Sequence, residues 1–177
     1  MSLAYAQAGV DILAPSDMMD GRVAFIRETL DNNQFQDLSI LSYTAKYASS
    51  MYSPFRDVVG SSLKGGDKLT YQLNPANVKE ALLEAALDEQ EGADMMMVKP
   101  ALTYLDIISK ISKSSNLPVA AYHVSGEYAM VIAAHKKGWL DKDKALIEQT
   151  IAIKRAGASI IFTYAFEEID NYLKIRA

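Results

Sequence analysis

The chain alternates short apolar runs with longer segments in which apolar residues recur every three to four positions, the pattern of strands interleaved with amphipathic helices. One joint recurs. Gly9-Val10-Asp11-Ile12, Gly92-Ala93-Asp94-Met95 and Gly157-Ala158-Ser159-Ile160 each read as a helix-ending glycine that runs straight into a buried strand. Strands are predicted over residues 11–14, 38–43, 94–98, 118–124 and 159–164. They are too short and too continuously apolar for surface hairpins, so they imply a parallel sheet covered by helices. Val23, Ile26 and Leu30 share one predicted helical face. Val78, Leu82 and Ala86 share another, behind Asn74 as N-cap and Pro75 at N1, and Leu105, Ile108 and Ile111 a third. Asp141 reads as the cap of a helix over 142–156, and a terminal helix is expected over 167–176.

Five such units in 177 residues take about 35 residues each, near the roughly 30 per unit of an eight-unit barrel. Periodicity alone fits two architectures, a (β/α)8 barrel three strands short of closure or a complete doubly wound sheet. The segments that follow the predicted strands favour the barrel, because they are unusually polar where a barrel carries its chemistry. They are Pro15-Ser16-Asp17, Thr44-Ala45-Lys46, Lys99-Pro100, Ser125-Gly126-Glu127 and Tyr164. The fold class is therefore read as α/β, a partial (β/α)8 TIM barrel of about five βα units forming a single domain over 1–177.

Half the residues are apolar, and 18 basic side chains face 22 acidic ones for a net charge of −4. That composition describes one globular domain with a substantial core and excludes a disordered chain. No apolar run approaches the roughly 20 residues of a bilayer helix, so no membrane partner is expected. No charged-then-apolar leader is read ahead of Ala4, and a cytoplasmic address is expected. The absence of cysteine removes disulfides, thiolate zinc sites and cysteine nucleophiles. His123 and His135 fall in different predicted elements, which argues against a histidine metal cluster. Lysines scattered beside Asp and Glu argue against a nucleic-acid partner.

Lys46 and Lys99 fall at the same end of neighbouring predicted strands. An ε-amine attacks a carbonyl only when neutral, so its ordinary pKa of about 10.4 has to fall to about 7, a cost on the order of 4 kcal/mol. Burial and a second nearby cation both act in that direction. Schiff-base chemistry and two ordinary solvated lysines both remain open on spacing alone. The stretch over 52–74 carries Arg56, Lys68 and Gln72 among the flexible points Gly60, Gly65 and Gly66. It is longer than a normal βα loop and reads either as an active-site lid with a carboxylate clamp or as a surface excursion.

Several long motifs carry a resemblance. Ala14-Pro15-Ser16-Asp17-Met18-Met19-Asp20-Gly21-Arg22, Leu41-Ser42-Tyr43-Thr44-Ala45-Lys46-Tyr47, Pro54-Phe55-Arg56-Asp57, Met97-Val98-Lys99-Pro100 and Val124-Ser125-Gly126-Glu127-Tyr128 resemble, in order, the 5-aminolevulinate dehydratase or porphobilinogen synthase family. The resemblance implies a barrel lyase of tetrapyrrole (heme) biosynthesis that condenses two molecules of 5-aminolevulinate, with loss of two waters, to porphobilinogen. It implies Lys99 as the Schiff base to the first substrate and Lys46 as the imine to the second. By the same correspondence Ser125 and Tyr164 hold the first carboxylate, while Arg56, Lys68 and Gln72 hold the second. Ser16 and Asp17 lie beside the first amino group, and Tyr52 is a lid aromatic. Lys68 stands where arginine is commoner, and lysine cannot make the bidentate fork.

Glu84 corresponds to a position where some members bind a regulatory magnesium ion between subunits. The family's N-terminal strands, subunit-pairing arm and catalytic zinc or magnesium segment have no counterpart here, so the chain reads as the C-terminal portion of the barrel. Its open edges imply a homo-oligomer. A noncatalytic remnant held together by oligomerisation, and more distantly a Schiff-base aldolase, are the competing functions.

Overall fold

The computed structural model describes residues 1–58 and 70–176. Five parallel strands, β1 (Ile12–Leu13), β2 (Ser39–Lys46), β3 (Met95–Lys99), β4 (Val119–His123) and β5 (Ile160–Thr163), form one sheet in chain order. Helices fill the intervals: α1 (Ser2–Gln7), α2 (Arg22–Asp31), α3 (Ser53–Val58), α4 (Lys79–Gln90), α5 (Leu105–Ser114), α6 (Ser125–Lys136), α7 (Lys142–Ala156) and α8 (Phe166–Arg176). The sheet curls into a half-barrel. Gly9, Gly92 and Gly157 all carry positive φ, the left-handed turn by which a helix gives way to the next strand.

The two faces of the sheet bury different side chains. Ala45, Met96, Val98, Val119 and Ala121 point outward and pack with Ile107, Ile108 and Ile111 of α5 and Ile153 of α7. Leu41, Met97 and Ala120, flanked by Tyr43, Met95, Tyr122 and Ile160, form the inner face. Most predicted boundaries are met to within one or two residues, but β2 continues to Lys46 rather than stopping at 43. Its pairing explains why. Ser42 lies opposite Met96 and Ala45 opposite Val98, so β2 takes three residues where β3 takes two. This bulge breaks the inside-outside alternation that the sequence reading follows.

The helix after the long loop also differs. Asn74 makes a tight turn with its own side chain, accepting the Ala76 N–H. The helix begins only at Lys79, where the Asn77 carboxamide oxygen accepts the N–H groups of Lys79 and Glu80. Its buried face is Ala81 and Ala85, with Val78 and Leu82 only partly covered and Ala86 exposed. Small alanines let α4 lie close to the sheet. The Asp141 cap is present, its carboxylate accepting the Lys144 N–H. No described helix is long and apolar enough to cross a membrane.

Candidate active site

Strand pairing brings the two lysines together. Lys46 and Lys99 are register partners across β2 and β3, and neighbouring positions of a parallel pair project to the same side. That side is the inner one: the Lys46 and Lys99 Nζ atoms lie 5.6 and 5.4 Å from the centre of the Tyr43 ring. Lys99 Nζ also lies 4.0 Å from the Tyr122 ring centre and 5.5 Å from that of Tyr52. Aromatic faces replace part of the water around this cation. Burial pushes the Tyr122 phenol up to about 12, with Tyr164 and Tyr43 adding to the effect, and also raises Tyr43. Both rings are therefore neutral at ordinary pH.

Lys46 is 9% exposed and its Nζ donates to Ser16 Oγ at 2.7 Å. Ser16 comes from the loop after β1, so this bond ties the first strand exit to the second. Asp17 turns to its own loop, accepting the Met19 N–H and pairing with the Arg22 guanidinium at 2.5 Å.

Lys99, Ser125, Tyr164 and Tyr52 line one small cleft of about 30 Å³, together with Phe55, Tyr122 and Val124. The Ser125 hydroxyl oxygen is buried and has no hydrogen-bond partner among the described residues. Such a group is costly to leave unpaired, and a ligand oxygen in the cleft would satisfy it. The Tyr52 hydroxyl is 2.8 Å from the Tyr47 carbonyl and 3.1 Å from the Lys99 carbonyl. Tyr52 thus touches the backbone that carries Lys99 as well as the cleft.

Gln72 is buried, and its Oε1 also lacks a partner among the described residues. It opens on a different hollow, of about 480 Å³, with Met18, Asp20 and Glu80. A parallel bridge between Tyr47 and Leu73 nevertheless sets it beside the end of β2. Lys68 and the side chain of Arg56 lie outside the described residues.

Glu84 lies midway along α4, partly exposed, and burial raises its carboxyl to about 7, helped by Asp20, Asp88, Glu80 and Glu91. Among the described residues no group of three or more His, Asp or Glu side chains could hold a metal ion. A magnesium ion needs oxygen ligands in near-octahedral array, so an ion at Glu84 would draw further ligands from another copy of the chain.

Tyr122, Phe55 and Val124 of the cleft, and Tyr43 beside the two lysines, are given no role by the residue pattern alone. Alternation offered a signal, since Tyr122 is two residues past the inner Ala120 and Tyr43 two past the inner Leu41.

A family profile described as Delta-aminolevulinic acid dehydratase matches residues 1–172. The Delta-aminolevulinic acid dehydratase of Chlamydia pneumoniae is 57% identical over 161 residues, covering 91% of this chain and 48% of the relative. That of Synechocystis sp. is 54% identical over 173 residues, 98% of this chain and 53% of the relative. A crystal structure of the delta-aminolevulinic acid dehydratase (porphobilinogen synthase) of Toxoplasma gondii ME49, in complex with the reaction product porphobilinogen, superposes with a TM-score of 0.93 at 50% identity. It is matched over 97% of this chain and 49% of its own. The chain spans about half the length of the relatives it matches.

Proposed function

The chain belongs to the delta-aminolevulinic acid dehydratase family, and from that premise we propose that its strand ends serve as the Schiff-base half of a porphobilinogen synthase site. The substrate is 5-aminolevulinate, two molecules of which condense to porphobilinogen with loss of two waters. The observation that carries this reading is the pairing of Lys46 with Lys99 on the inner face, both beside Tyr43.

Each lysine supplies one imine. The neutral Lys99 amine attacks the keto carbon of the first substrate, and the carbinol oxygen takes up a proton from solvent and leaves as water, so that a cationic iminium remains against the Tyr122 ring. Lys46 does the same for the second substrate, with Ser16 Oγ as the polar neighbour of its nitrogen. One iminium accepts a nucleophile; the other loses an α-proton to become an enamine nucleophile. The register pairing of Lys46 with Lys99 supports reaction between the two. The unpartnered Ser125 hydroxyl and the Tyr164 phenol receive the first carboxylate, and Gln72, with Arg56 and Lys68, receives the second. Family members are generally metal-dependent, but no step here is routed through a metal, because the described residues do not build a site for one. Assembly with further copies of the chain belongs to the same reading and is supported by the exposed apolar side chains Ile12 on β1 and Phe162 on β5, the two outer strands.

The test is borohydride reduction of the chain with 5-aminolevulinate, followed by mass mapping. An adduct at Lys99, lost in Lys99→Met and weakened in Ser125→Ala, is the expected result. A folded chain with no adduct would overturn the reading in favour of a noncatalytic remnant.

A further inference from the structure

Glu127 is fully buried at the start of α6 and takes no part in the proposed chemistry. Its Oε2 accepts the Val124 N–H at 2.6 Å, an ordinary helix-start cap. Its Oε1 accepts a second bond, also 2.6 Å, from the Leu102 N–H, 25 residues earlier in the turn that follows Lys99-Pro100. One carboxylate therefore spans the exits of β3 and β4. Burial raises its carboxyl while the N–H bonds from Val124, Leu102 and Ala101 lower it. Protonation would turn one of the two accepting oxygens into a donor facing an N–H, so the bridge works best as the anion.

A second route joins the same segments. A Cβ on Gly126 would stand 2.4 Å from the Met51 carbonyl oxygen and 2.7 Å from its Cα, so α6 rests directly on the Ser50–Tyr52 turn. Tyr52 in turn reaches the Lys99 carbonyl. Ser125 sits between Val124 and Gly126, and its hydroxyl has no described partner to aim it. The backbone on either side does the aiming.

We infer that Glu127 is a positioning residue, whose carboxylate fixes the Ser125 hydroxyl relative to Lys99 and so sets how well the site selects a keto substrate with a carboxylate arm. This rests on the reading of Lys99 and Ser125 given above.

The test compares borohydride trapping at Lys99 with two carbonyl compounds, 5-aminolevulinate and 1-aminobutan-2-one, which is the same amino ketone without the carboxylate. In Glu127→Gln one acceptor oxygen becomes an amide nitrogen. The 5-aminolevulinate concentration for half-maximal labelling is expected to rise about tenfold, the factor carried by one hydrogen bond to a charged group. Maximal labelling, and half-saturation by 1-aminobutan-2-one, should stay at wild-type values. If Glu127→Gln does not fold, Glu127→Asp decides, since it keeps the charge but is one methylene too short to bridge both N–H groups. An equal loss with both ketones, or no loss with either, overturns the inference while leaving the proposed function standing. Absence of any wild-type adduct with 5-aminolevulinate removes the function and the inference together.

Discussion

Lys46 and Lys99 sit opposite each other on adjacent parallel strands, and a single phenol ring, Tyr43, faces both ammonium groups at 5.6 and 5.4 Å. The paired amines therefore share one aromatic neighbour on the inner face, and on the proposed reading they should fail differently when removed singly. Lys99→Met is expected to abolish the first adduct. Lys46→Met should leave labelling at Lys99 intact and lower pyrrole formation by a thousandfold or more, the order of loss when a nucleophile is removed. Adduct mapping and a colorimetric pyrrole assay, run on the same samples, read the two effects separately. Equal loss of the Lys99 adduct in both variants would refute separate roles.

Tyr122 gives the Lys99 cation its nearest aromatic face, at 4.0 Å. Tyr122→Leu keeps an apolar side chain but removes the π-face. Trapping at subsaturating 5-aminolevulinate should fall about fivefold, equivalent to roughly 1 kcal/mol of cation–π attraction, whereas Tyr122→Phe should match wild type. A loss of the same size in Tyr122→Phe would mean that the hydroxyl matters instead.

Gly126→Ala drives a methyl group into the Met51 backbone. Overpacking of this kind costs about 1–3 kcal/mol, visible as a lower urea midpoint with an unchanged slope. Because the displaced turn carries Tyr52, Lys99 labelling should weaken even where the variant is fully folded.

Two titrating groups tilt stability in opposite directions. His123 is buried, and burial pulls its imidazole down to about 4, with Gln149 acting in the other sense. Between that value and about 6.5 the unfolded chain binds more protons, so its contribution is full above 6.5 and lost as pH falls towards 4. Glu84 has the reverse sign. Its carboxyl is raised from 4.5 to about 7, so its contribution is full below 4.5 and lost as pH rises to 7. Urea midpoints followed across pH should show Glu84→Gln gaining about 1 kcal/mol near pH 7.5, after allowance for solvent screening at a half-exposed site. His123→Gln should flatten the loss on the acid side. A wild-type profile whose slope is unaltered by either substitution would contradict both assignments.

The repeating glycine joints were legible because a left-handed helix end leaves its mark in one residue, and Gly9, Gly92 and Gly157 bear it. Both lysines were legible as neighbours at the same end of adjacent strands, and the register bears that placement out. Their common face was not: counting by twos from Leu41 puts Lys46 outside, and only the extra residue between Ser42 and Ala45 returns it to the inside. Asn74-Pro75 looked like a helix start because its residue types suit one, yet the Asn74 side chain closes a turn and Asn77 takes over the capping. Glu127 was legible only as part of the polar exit Ser125-Gly126-Glu127. Its bridging role rests on the Leu102 N–H at its other oxygen, a contact 25 residues away that no local pattern shows.

The strand order β1-β2-β3-β4-β5 means that every ladder joins neighbours in the polypeptide. Closing any one of them requires a single crossover, a modest entropic demand that grows only slowly with the crossover's length. The β2–β3 rung bearing the paired amines closes the longest of these crossovers, from Lys46 to Met95. The rung that pairs Lys46 with Lys99 is thereby the ladder with the largest loop-closure cost in the sheet, by a margin of about 1 kcal/mol or less over the other crossovers.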